Sequence, residues 1–258
     1  MLELSGGRED AIYLSENQVH RPLNPWSSSM HKLLIYLHEN GFTQCPKFIR
    51  TESNQEILSF IEGGSYNYPL VGEIASLEVL ISAAKTLKAF HEQSAKFIQS
   101  TQVESLPWML DLQSPIEVVC HGDFAPYNVA IKNNQVTGIF DFDTCHPAPK
   151  LWDIAYAVYC WAPFKTKTDD ALGTLNEQIH RAKVFCDAYD LSQKERVELV
   201  TMMIKRLEAL VKFMINQADL QDIQFQRNIQ DEHHLSYLSD IEYLKLHADL
   251  IRKGILTN

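Results

Sequence analysis

The chain has 258 residues, 45% of them hydrophobic, which is enough for a substantial core in one or two domains and too apolar for a disordered segment. With 23 Lys and Arg against 33 Asp and Glu, the formal charge is −10. That excludes the basic footprint of a nucleic-acid binder and a polybasic membrane-surface anchor, while leaving a cationic small molecule compatible as a partner.

In chain order, the opening MLELSGGRED lacks the basic and then apolar layout of a secretory signal, and no stretch reaches the roughly 18 apolar residues of a spanning helix. A soluble, cytoplasmic chain is expected. LELS, AIYLS and QVHRPL, separated by Gly6, Gly7 and the turn ENQ, predict a small antiparallel sheet. Pro25 ends it, and Ser27 to Ser29 are expected to cap a helix whose Leu33, Leu34 and Leu37 share a face before Gly41. EILSFIEGG reads as a strand passing into a connector, which puts a lobe boundary near residue 63. IASLEVLISAAKTLKAFHEQ keeps helical spacing, and residues 99–115 have no clear period. EVVC then leads into HGDFAPYN, and NVAI and VTGIFDF flank KNNQ as a hairpin. Helices are expected near 151–161, 170–190, 193–217 and 232–253, with a polar break around QADLQDIQF. The five cysteines (Cys45, Cys120, Cys145, Cys160, Cys186) contain no CxxC pair and fit buried thiols in a reducing compartment.

The chemistry concentrates at residues 121–143. Asp123 and Asn128 lie five apart in a loop after a strand, and the following hairpin can return Asp141 to the neighbourhood of Asn128. A carboxylate and an amide oxygen suit Mg²⁺, which takes few protein ligands and leaves the rest to water and phosphates. Asp123, outside that shell, can accept a proton from an attacking hydroxyl. Each residue alone is more often a turn former, but the ordered set is hard to obtain from turn chemistry.

HGDFAPYN, then FDFD, then LWDIAYAVY resembles the signature of the aminoglycoside phosphotransferase and choline kinase-like family of small-molecule kinases. The resemblance implies an α+β, two-lobed, protein-kinase-like fold. A reduced N-terminal lobe, residues 1–63, would hold a small antiparallel sheet and one helix, with a hinge near 59–63. A larger, mainly helical lobe, residues 64–258, would carry the catalytic β-hairpin and the acceptor site. It also implies Asp123 as catalytic base, with His121 organising its loop, and Asn128 and Asp141 as Mg²⁺ ligands. Asp143 would assist the metal or brace the loop, and Asp153 would be structural. ATP or GTP would be the phosphoryl donor.

Before residue 56 the pattern departs from the family. The strand lysine that normally holds nucleotide phosphates is replaced by Arg21, and the next helix, SSSMHKLL, offers no early acid to pair with it. An arginine can still hold phosphate through its bidentate fork. Gly6 and Gly7 are placed either as a phosphate clamp or as a plain turn, and Phe60, Ile61 and Glu62 as the hinge that meets the purine through backbone groups. For the acceptor, a hydroxyl compound that can be cationic, Trp161 is the candidate for stacking and Asp231, Glu232, Asp240 and Glu242 are those for binding an amine, with Trp108 in the loop before the catalytic segment; a core tryptophan and a solvated helix face are the plainer readings. His233 and His234 diverge by about 100° on a helix and make no metal pair. Two other readings stay open: a nucleotide-binding pseudokinase, motivated by Arg21, and a metallohydrolase built on His121, Asp123, Asp141 and Asp143. A monomer or homodimer is expected, with neither nucleic acid nor membrane as partner.

Overall fold

The structure, a computed structural model, describes residues 2–4 and 12–256. It contains two compact units. The first gathers the chain through Ser65 with Lys85–Asp153, and the second gathers Tyr66–Ala84 with the chain from Ile154 onward. The HGDFAPYN segment and the hairpin after it therefore cluster with the N-terminal sheet.

In the first unit, strands β1 (Leu2–Glu3), β2 (Tyr13–Ser15), β3 (Gln18–Pro22), β4 (Phe48–Glu52) and β5 (Gln55–Ser59) form an antiparallel sheet in the order β1-β2-β3-β5-β4. The turns Glu16-Asn17 and Ser53-Asn54 have positive φ at both positions, as does Asn133-Asn134. This is the geometry whose twist matches paired antiparallel strands. β4 carried no signal in the sequence because it is a largely exposed edge strand, FIRTE, with no alternation to read.

Helix α1 (Ser27–Glu39) buries Met30, Leu33, Leu34 and Leu37 along one face. The expected serine cap does not form. The residue before the helix is Trp26, without a capping side chain. Ser27 Oγ instead accepts the Asn24 N–H at 3.0 Å, and Ser29 Oγ donates to the Pro107 carbonyl. At the other end Gly41, at φ +86°, donates to His38 O while Phe42 N–H donates to Leu37 O. This paired arrangement closes the helix through a left-handed residue.

Helix α2 (Leu77–Ser100) runs a full turn or more beyond its expected end. Its Phe90, fully buried, sets its ring against those of Phe42, His121 and Phe142 at centroid distances of 5.8 to 6.4 Å. β6 (Val118–Cys120) pairs with β9 (His146–Ala148), and β7 (Val129–Lys132) pairs with β8 (Gln135–Ile139) as the predicted hairpin. Helix α3 (Lys150–Trp161) follows directly.

The second unit is helical, with α4 (Leu175–Tyr189), α5 (Gln193–Asp219), α6 (Ile223–Gln230) and α7 (His233–Leu256). Capping boxes start two of them, Thr174 with Glu177 and Ser192 with Glu195. The first explains why α4 begins five residues later than expected: T-x-x-E supplies partners for the helix's otherwise unpaired N–H groups. The polar break is only Leu220–Asp222, because Asp222 accepts from the backbone N–H of Gln224 and Phe225 and starts α6 at once.

Candidate active site

The segment His121–Asn128 connects β6 to β7, and its shape is held from beneath by Asp153. That carboxylate is fully buried and accepts the backbone N–H of His121 at 2.6 Å, that of Gly122 at 2.9 Å and His91 Nε2 at 2.9 Å. Burial disfavours its charge. The hydrogen bond and charge of His91, with the Gly122 N–H, outweigh that and hold the carboxyl down to about 2. Gly122 has φ +84°, and a Cβ there would lie 2.3 Å from Thr144 O, so only glycine fits the turn.

His121 is also fully buried. Its Nε2 donates to Phe140 O at 3.0 Å, joining the loop to the end of β8, and its Nδ1 has no hydrogen-bond partner. Burial lowers its pKa, so the ring is neutral, and it lies out of reach of solvent.

Asp123 is partly exposed, and both carboxylate oxygens are oriented. Tyr127 Oη donates to Oδ1 at 2.8 Å, and Asn128 Nδ2 donates to Oδ2 at 2.9 Å and to the Asp123 carbonyl at 2.9 Å. Turning Nδ2 toward Asp123 fixes Asn128 Oδ1 as the acceptor end of the amide. Across the hairpin, Phe140 N–H donates to Asn128 O at 3.0 Å, which puts Asp141 one residue from the asparagine's backbone partner. Asp141 sits at φ 62°, ψ 66°, a left-handed conformation that re-aims its carboxylate as the chain leaves β8.

Arg21 closes the constellation, and its acidic partner is present after all. Glu56 lies directly opposite it across the β3–β5 pairing and is fully buried, with Oε1 2.6 Å from Arg21 Nε. Glu56 Oε2 is bonded to His31 Nε2 of α1, whose ring stacks on Phe48 at 4.0 Å. The other end of the guanidinium meets Asp143 at 2.8 Å and approaches Asp141 at 3.8 Å. Burial would lower the arginine pKa, but Asp143, Glu56 and Asp141 raise it, so the group stays charged. The acid that pairs with Arg21 is thus a strand residue, with a helix histidine bracing it.

The donor set fits Mg²⁺. Asn128 Oδ1 and the Asp141 carboxylate, 43% exposed, are hard oxygens, and Asp143, only 14% exposed, is the carboxylate that Arg21 neutralises. Among the described residues no three His, Cys, Asp or Glu side chains gather as a metal cage.

At the expected hinge, Phe60 N–H donates to Asn17 O, and Glu62 O accepts from Thr137 Oγ1 at 2.6 Å. Gly64 bridges to Ile131, and a Cβ on Gly63 would lie 2.8 Å from Ile131 N, so the segment is packed closely along the β7–β8 hairpin. Gly6 and Gly7 lie outside the described residues.

The acceptor candidates scatter. Trp161 is fully buried in the second unit and its carbonyl accepts from Arg181, so its indole is core and is not offered to a ring or an ammonium group. The nearly unbroken apolar run of α3 already signals burial on all sides. Asp231 and Glu232 are exposed in the turn between α6 and α7, Glu232 with φ +59°. Asp240, also considered for amines, is buried and accepts from Tyr159 Oη and Thr166. Glu242 is taken by Lys245. Trp108 donates to Val103 O. Sequence reasoning missed Tyr127, Glu56, His31 and His91. Tyr127 lay within the quoted motif, whereas the others are joined only by strand pairing and helix packing.

The model of the Phosphotransferase enzyme family matches residues 103–189. The trifolitoxin immunity protein of Rhizobium leguminosarum bv. trifolii is 28% identical over 210 residues, covering 78% of each chain. Among solved structures, a choline/ethanolamine kinase family protein from Mesorhizobium loti aligns at TM-score 0.60 with 10% identity, over 96% of this chain and 89% of its own. An aminoglycoside phosphotransferase from Alicyclobacillus acidocaldarius aligns at 0.52 with 14% identity, over 95% and 90%. At these identities the structures show the fold, which is the kinase-like α+β fold with an antiparallel N-terminal sheet and a helical C-terminal part. The matched family segment contains the loop and hairpin described above, and together with the shared fold it agrees with the resemblance to small-molecule phosphotransferases carried by HGDFAPYN and FDFD.

Proposed function

We propose that the protein transfers the terminal phosphoryl group of a nucleoside triphosphate, ATP foremost, to a hydroxyl of a small molecule. The observation that carries this reading is Asp123, held on both oxygens by Tyr127 and Asn128, beside a hairpin that brings Asp141 back to the same loop. The acceptor oxygen attacks the γ-phosphorus, its proton passes to Asp123, and the bond to the bridging oxygen breaks to release the nucleoside diphosphate. Mg²⁺, when bound, neutralises phosphate charge, and Asn128 and Asp141 are the residues that would hold it, with Asp143 beside them. Arg21 is the phosphate-holding cation, and the backbone of Phe60–Glu62 meets the purine. His121 keeps the loop in shape. Asp231 and Glu232, being exposed acids, are the acceptor candidates that survive from the sequence.

The test is a thermal-shift screen of ATP and GTP with Mg²⁺, followed by coupled turnover across a library of hydroxyl compounds. Stabilisation by nucleotide and diphosphate release with at least one acceptor are expected. Stabilisation without turnover by any acceptor would favour the pseudokinase reading.

A second reading of the biological role follows from the 28% identity to a protein named for immunity to a toxin. The same phosphoryl transfer, directed at a hydroxyl of a toxin, would confer protection. Expressing the chain in a toxin-sensitive bacterium should protect it, and Asp123→Asn should remove that protection.

A further inference from the structure

Arg21 stands between two sets of acids. On one side is Glu56, fully buried, bonded to Arg21 Nε through Oε1 and to His31 through Oε2. On the other are Asp143 at 2.8 Å and Asp141 at 3.8 Å, the carboxylates assigned to the metal. Ser27 Oγ, 3.5 Å from Glu56 Oε1, and the Phe48 ring stacked on His31 complete the mounting of Glu56. A guanidinium has donors on both edges, so it can hold both sets at once, which an ammonium, with its single point of charge, does poorly.

We infer that Arg21 occupies the charge position of the metal in the ligand-free protein, and that Glu56, braced by His31, is the positioning residue that shares the guanidinium with Asp143 and Asp141 and so weakens its hold on them. The inference rests on the proposed metal role of those two aspartates. Its physical basis is competition. A divalent cation arriving alone must displace the guanidinium from Asp143, whereas one arriving with a polyphosphate brings Arg21 an alternative anion. The stronger the hold of Glu56 on Nε, the less firmly Nη2 is committed to Asp143. Glu56 therefore tunes metal affinity from a position with no exposed surface of its own.

The competition makes opposite predictions for the two ends of the pair. Binding of Mn²⁺, standing in for Mg²⁺, is measured by paramagnetic resonance on the nucleotide-free protein. Glu56→Gln keeps the shape but removes the charge that draws Arg21 away, so Mn²⁺ should bind about tenfold more weakly than to the parent chain. Arg21→Met removes the competitor, so Mn²⁺ should bind about tenfold more tightly. If Arg21→Met does not fold, Arg21→Gln, which keeps a donor for Glu56, takes its place and should move in the same direction. A purely structural role for the pair would loosen the site in both variants and weaken binding in both. That outcome overturns the inference, as does equal Mn²⁺ affinity in all three proteins. Failure of the kinase reading looks different: the opposite shifts persist while no nucleotide stabilises the parent chain and no acceptor is phosphorylated.

Discussion

Asn128 Nδ2 lies 2.9 Å from Asp123 Oδ2, so the amide that would hold the metal through its oxygen also aims the carboxylate that would take the proton. The two roles share one side chain, and their separation can be tested. Asp123→Asn should lower turnover by about 10²–10⁴-fold, the usual contribution of a positioned general base. Its melting temperature and its affinity for nucleotide should stay close to those of the parent. Retention of full activity by this variant would exclude Asp123 as the base.

Asp153 predicts a pH dependence of stability. Its carboxyl is lowered from 3.8 to about 2 on folding. Because the folded value is depressed, the stabilisation is fully present above pH 3.8 and is lost as the pH falls from there toward 2. Its size is roughly 2 kcal/mol. Urea denaturation across that range should show the slope in the parent chain. Asp153→Asn should remove this contribution to the slope and, by opposing an amide to donors, cost about 3–5 kcal/mol at neutral pH. An unchanged slope in the variant would assign the acid sensitivity to other carboxylates.

Gly122 is irreplaceable on two counts, a φ of +84° and the 2.3 Å approach of a Cβ to Thr144 O. Gly122→Ala should cost at least about 2 kcal/mol through backbone strain and overpacking. It should also displace Asp123, the next residue. Thermal unfolding and turnover should fall together, and a variant with parental melting and activity would show that the loop tolerates a different path.

Trp161, fully buried, belongs to the core of its unit. Trp161→Ala should lose about 3–5 kcal/mol of stability. The milder Trp161→Phe should retain the KM of whatever hydroxyl compound serves as acceptor, measured in steady-state assays. A selective rise in that KM without loss of melting temperature would return the indole to the acceptor site.

The sequence by itself determined the loop and the hairpin. HGDFAPYN and FDFD are local: their spacing is set by one strand, one tight turn at Asn133-Asn134 and one return strand, and local geometry survives in sequence. The first helix was legible for the same reason, through Leu33, Leu34 and Leu37 at helical spacing before Gly41. The strand β4 was not legible, because an exposed edge strand carries no alternation, whereas the nearly unbroken apolar run of α3 already spoke for a core Trp161. Only the tertiary structure decided the partner of Arg21. Glu56 is 35 residues away and carries no motif; it meets Arg21 because β3 and β5 pair in a register that sets the two residues opposite each other. Asp143, 122 residues away, reaches the same guanidinium. Such contacts depend on which strands pair and which helices pack, free energies summed over the whole chain, and no spacing along it encodes them.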